Sequence, residues 1–88
     1  MKQNTFYLIP VDGRKSFYNK AVMIERENGE KLLKSYETIV CKYYPGGQFV
    51  RTWPGYSATT ARHVNAFRAA CGLPGMNKKE WDALKVEG

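Results

Sequence analysis

The sequence predicts an α+β domain: a three- to four-stranded antiparallel meander, one main helix packed on one face of it, and a short second helix. Three observations carry this. Two glycine-bearing turn signals, Asn28-Gly29 and Gly46-Gly47, separate β-rich runs. Between Ser57 and Gly72, residues Thr60, Val64, Phe67 and Cys71 recur at helical spacing. The 88 residues are 43% apolar and 14% aromatic, enough for one small core and too apolar for a disordered tail. Residues 1–88 are therefore read as a single domain.

The first element is a short strand over Phe6-Tyr7-Leu8-Ile9, stopped by Pro10 and the Asp12-Gly13 turn signal. Pro10 places it at a sheet edge, because a central ladder would miss its N–H. Arg14 and Lys15 follow as solvated loop charges. Lys20 to Arg26 is the next strand. A two-residue loop at Asn28-Gly29 sets Glu27 opposite Glu30, Ile24 opposite Leu33 and Val22 opposite Ser35. One long central strand then runs from Lys31 to about Tyr44. A two-residue Gly46-Gly47 loop sets Tyr44 opposite Phe49, Tyr43 opposite Val50, Lys42 opposite Arg51 and Val40 opposite Trp53.

Because side chains alternate, this register sorts them onto two faces. Val22, Ile24, Leu33, Ile39, Cys41, Tyr43, Val50 and Thr52 are expected beneath the helix. Met23, Lys34, Tyr36, Thr38, Val40, Lys42, Tyr44, Phe49, Arg51 and Trp53 are expected on the open face, basic and aromatic. Ser57 is the N-cap of the main helix, Gly72 its stop, and Pro74 prevents its continuation. Asn77 with Glu80 forms a capping box for the second helix, and Met76 with Trp81 its hydrophobic staple.

The net charge is +6, shared evenly: residues 1–34 and 35–88 each carry seven basic and four acidic side chains. Any positive patch is thus made by folding, and the balance favours nucleic acid or another acidic partner. No apolar run is long enough for a signal peptide or membrane span, so a soluble, cytoplasmic protein is the expectation. The two cysteines, Cys41 and Cys71, are read as reduced packing residues. One histidine and no Cys-x-x-Cys pair argue against a metal, and no glycine-rich loop opens a helix to hold a phosphate or cofactor. His63 lies near Ser57, Thr59 and Thr60 on one helix, but no orienting carboxylate is evident, so no catalytic residue is assigned.

What remains is binding. Lys34, Lys42, Tyr44, Phe49, Arg51 and Trp53 on the open face interleave cations with flat rings, as phosphate contact and base stacking require. Arg62, Asn65 and Arg68 on the polar side of the helix are types that read base edges. The same rings suit a protein partner or a homodimer.

Ser35-Tyr36-x-Thr38-x-Val40, followed by Tyr56-Ser57-x-Thr59-Thr60-x-Arg62-His63 and Phe67, resembles a pattern of small uncharacterised proteins of bacteriophages and mobile elements in Gram-positive bacteria. The resemblance covers residues 35–67 and implies a setting inside a bacterial host. Short basic proteins in that setting handle nucleic acid or block host machinery, CRISPR nucleases included. It also groups Tyr36, Thr38, Ser57, Thr59, Thr60 and His63 as a polar cluster between helix and sheet, read either as a hydrogen-bonded joint or as a ligand site at a helix N-terminus, which attracts anions.

Overall fold

The computed structural model describes residues 3–9 and 20–87. Its elements are β1 (Gln3–Tyr7), β2 (Ala21–Arg26), β3 (Lys31–Ser35), β4 (Thr38–Tyr43), β5 (Phe49–Arg51), α1 (Ala58–Ala70) and α2 (Lys78–Ala83). The strands form one antiparallel sheet in chain order, with β1 at an edge as Pro10 implied. The α+β class holds, but the sheet has five strands rather than three or four. The long central strand is in fact two, because the chain reverses at Tyr36-Glu37 and sets Ser35 opposite Thr38. Tyr36 takes a φ of 57°, a left-handed conformation costing a residue with a Cβ about 1 kcal/mol. The expected Asp12-Gly13 turn and the Arg14-Lys15 loop lie outside the described residues.

Both glycine hairpins use three-residue loops, not two. Arg26 donates to the Glu30 carbonyl at 2.8 Å and Gly29 to the Arg26 carbonyl at 2.9 Å, which closes a turn over Glu27-Asn28-Gly29. Tyr44 and Gln48 close Pro45-Gly46-Gly47 in the same way. Each loop ends on a glycine of positive φ, 90° at Gly29 and 95° at Gly47, as a type I turn followed by a left-handed residue requires. The register therefore moves by one: Ile24 faces Leu32, Met23 faces Leu33, Lys42 faces Val50 and Cys41 faces Arg51.

A one-residue slip turns a strand over. Leu33, Cys41 and Tyr43 point toward the helices as expected, but β2 and β5 are inverted. Met23, Phe49 and Arg51 lie on the helix-covered side, and Trp53 packs against the core beyond β5. Val22, Ile24 and Val50 lie on the other side, across from Lys34, Leu32 and Lys42. A bulge opposite Leu33 adds a further change, leaving Val40 and Cys41 both fully buried while Ile39 faces Lys34. The expected inward set of Val22, Ile24, Ile39, Val50 and Thr52 is thus corrected, as is the outward set of Met23, Val40, Phe49, Arg51 and Trp53.

α1 lies over β3 and buries Thr60, His63, Val64, Ala66, Phe67 and Arg68. Ser57 caps it by accepting the Thr60 N–H at 3.0 Å. At its other end Leu73 donates to the Arg68 carbonyl and Gly72 to the Ala69 carbonyl, the paired bonds of a Schellman motif. The Asn77–Glu80 capping box starts α2, which delivers the buried Trp81 to the same core. Phe67, Leu33, Val40 and Cys41 form the sealed centre. Among the described residues no helix is long and apolar enough to cross a membrane.

Candidate functional site

The polar cluster closes around a residue that sequence reasoning had not placed in it. Ser35, at the end of β3, has its Oγ 2.7 Å from His63 Nδ1 and 3.5 Å from Thr60 Oγ1. His63 is 1% exposed, and the Tyr36 ring packs beside it with centroids 5.7 Å apart. Burial pushes the His63 pKa down, and the neighbouring Arg62 adds to that. The imidazole is therefore neutral, with Ser35 as its hydrogen-bond partner. Thr60 belongs to this joint, whereas Thr38 and Thr59 are exposed and Ser57 serves the helix cap. A serine hydroxyl on an imidazole is half of a nucleophilic pair. Here both are sealed from solvent, and their hydrogen bond links α1 to the end of β3. The first position of the Ser35-Tyr36-x-Thr38 pattern was the available signal, because a polar residue there falls on the helix-covered side.

Three of the expected contact residues are occupied inside the molecule. Arg51 is 5% exposed and is wrapped in carbonyl oxygens: Nε donates to Trp53 at 2.9 Å, one Nη to Trp81 at 2.9 Å, the other to Pro54 at 2.7 Å. Its guanidinium also lies 4.7 Å from the Trp81 ring centroid. It thereby ties the C-terminal end of α2 to the loop before α1. Arg68 donates from Nε to the Pro74 carbonyl at 2.7 Å and lies over the Phe49 ring. Asn65 accepts the Met76 N–H at 2.7 Å, so Asn65 and Arg68 pin the α1–α2 connection. Phe49 and Trp53 are half-buried against the core, and Arg62 is half-buried on α1. Trp53, Tyr56, Val64, Met76 and Trp81 line a cleft of only about 10 Å³, room for a single water at most.

The open side of the sheet retains part of the expected character. Lys34, Lys42 and Tyr44 lie there as predicted, now with Lys20 and Tyr7, which only the true register brings alongside. Lys20, Lys34, Tyr7, Tyr36, Val22 and Ile24 surround a shallow concavity of about 580 Å³. Lys42, Tyr44, Val50 and Thr52 line a second of about 460 Å³. Tyr7 and Tyr36 are 62% and 53% exposed. Lys34 pairs at 3.6 Å with the exposed Glu37, a weak surface pair, whereas Lys42 pairs at 3.8 Å with the buried Glu30. Both α-helices lie on the far side.

Cys41 and Cys71 are free thiols, and burial pushes both pKa values up. Their thiolates are disfavoured, so neither is activated as a nucleophile. Among the described residues no group of His, Cys, Asp or Glu is placed to hold a metal ion. Residues 8–83 match a family of unknown function, DUF8033. No curated protein and no solved structure matches the chain.

Proposed function

The chain belongs to this family of unknown function, and from that premise we propose that it is a non-enzymatic binding protein whose open sheet face contacts nucleic acid or a nucleoprotein. One observation carries the reading: Lys20, Lys34 and Lys42 share that face with Tyr7, Tyr36 and Tyr44, while Arg51 and Arg68 are committed to the interior. Lysines gathered on one face contact phosphates, and exposed phenol rings stack on unpaired bases. The net charge of +6 adds long-range attraction. Its setting, on the resemblance carried by residues 35–67, is a phage or mobile element expressed in the cytoplasm of a bacterial host.

The test is fluorescence anisotropy with single-stranded and duplex oligonucleotides at two salt concentrations. Binding that weakens steeply with salt, and is lost in the Lys20→Glu/Lys34→Glu/Lys42→Glu variant but retained in Arg62→Glu, supports the reading. No binding at low salt, or an unaffected triple variant, overturns it.

A second reading rests on the half-buried apolar residues Val22, Ile24 and Ile39 between those lysines, two of which already have carboxylate partners. These suit direct binding to a host defence protein, with inhibition of the anti-CRISPR kind as the outcome. Co-purification of one stable host protein with the wild type, lost in Ile24→Glu, distinguishes it.

A further inference from the structure

We propose that β1 is a dimerisation edge, at which two copies of this chain pair antiparallel about a two-fold axis through Thr5 and join their sheets into one. The bonding pattern of β1 shows which groups are available. Leu8 donates to the Ala21 carbonyl at 2.9 Å, in line with the register that pairs Phe6 with Met23 and Asn4 with Glu25. Bonding alternates along an antiparallel ladder, so Asn4, Phe6 and Leu8 bond inward to β2. Gln3, Thr5 and Tyr7 turn their N–H and C=O groups outward, and among the described residues no strand lies beyond them.

Protein edges are usually shortened, charged, interrupted by proline or covered. The β5 edge follows that rule: it is three residues long, and Glu87 donates to its outward Arg51 carbonyl at 2.7 Å. β1 does not follow it. All five of its residues are exposed, none is charged and none is proline. Exposed Phe6, Tyr7 and Ile9 gather at this same edge.

Charge and symmetry identify the occupant as a second copy. Pairing about Thr5 sets Gln3 opposite Tyr7 and Asn4 opposite Phe6, so two chains of charge +6 meet along a strand that carries none. An acidic peptide would find no complementary charge there. Because β5 is already capped, two-fold pairing at β1 consumes the other sheet edge of the described residues and closes the assembly instead of propagating it. The two open faces then become one continuous surface with both Tyr7 rings near its centre.

Sedimentation equilibrium of the full chain tests this, with Thr5→Pro and Thr5→Lys as variants. The Thr5 N–H points away from β2, so proline there removes an intermolecular bond and leaves the β1–β2 ladder intact. Thr5→Lys places two cations face to face across the axis. A wild-type dimer, with both variants monomeric and unchanged in far-ultraviolet circular dichroism, is the expected result. Should Thr5→Pro lose its fold, Thr5→Lys decides alone. A wild type that sediments as a monomer up to its solubility limit, or a folded Thr5→Lys that remains dimeric, overturns the proposal.

Discussion

Arg51 carries its charge into the interior and meets backbone oxygens from Trp53, Pro54 and Trp81. Removing it orphans those carbonyls and unties α2 from the sheet, so Arg51→Ala is expected to cost about 3 kcal/mol in urea unfolding. Arg51→Lys restores little, since a point ammonium cannot span acceptors that a planar fork reaches in several directions. His63 acts by staying neutral. Its folded pKa lies below the ordinary histidine value of about 6.5, so the unfolded chain takes up a proton first as pH falls. The stabilisation is complete above that value and is lost as pH drops through the folded pKa. The urea midpoint is expected to fall between about pH 7.5 and about pH 5.5, and to do so less in His63→Gln. Ser35→Ala removes the hydroxyl from Nδ1 and is expected to cost about 1–2 kcal/mol, read in the same experiment.

At the scale of elements, two glycines bound α1 for different reasons. Gly72 has a φ of 80° and open space where a Cβ would stand, so Gly72→Ala carries only the backbone cost of the left-handed region, about 1 kcal/mol. Gly55 lies beneath the Trp53 ring, which an added Cβ would meet at 2.5 Å. Gly55→Ala must displace an indole that packs on the core and shift a carbonyl that accepts Trp81 Nε1, and about 2–3 kcal/mol is expected. A thermal melt of both variants checks the order: Gly55→Ala melts lower, with altered near-ultraviolet dichroism that Gly72→Ala lacks. The hairpins show how much rests on one loop residue. The two-residue loops read from sequence set Glu27 against Glu30 and Lys42 against Arg51, like charges in both cases. The three-residue loops instead align Glu25 with Lys31, whose charged groups approach to 3.7 Å. Cross-strand charge was therefore a usable signal for the longer loop.

For the whole molecule, the consequence is a redistribution of charge. Two of the arginines that a +6 chain seemed to offer a ligand are consumed by its own carbonyls, which leaves the lysines of the open face as the cations to test. Each Lys→Ala change at Lys20, Lys34 or Lys42 is expected to weaken oligonucleotide binding by a similar factor for all sequences. Each is also expected to lower the salt slope by about one, measurable in the anisotropy titration. A variant that alters base preference instead would place Tyr7 or Tyr36, rather than charge, at the centre of recognition.

Local chemistry written in the sequence determined the α+β class, the span and caps of α1, the capping box of α2 and the turns at Gly29 and Gly47. Each depends on a few neighbouring residues. The break at Tyr36-Glu37, the bulge at Val40 and the length of both glycine loops were decided by tertiary packing. The physical reason is the two-residue period of a strand: Asn-Gly and Gly-Gly fit loops of two or three residues, and that single residue decides which face is covered. The longer loops turn Met23 and Phe49 toward the core of Phe67 and Trp81, the bulge buries Val40, and together they moved Phe49, Arg51 and Trp53 out of the expected contact surface.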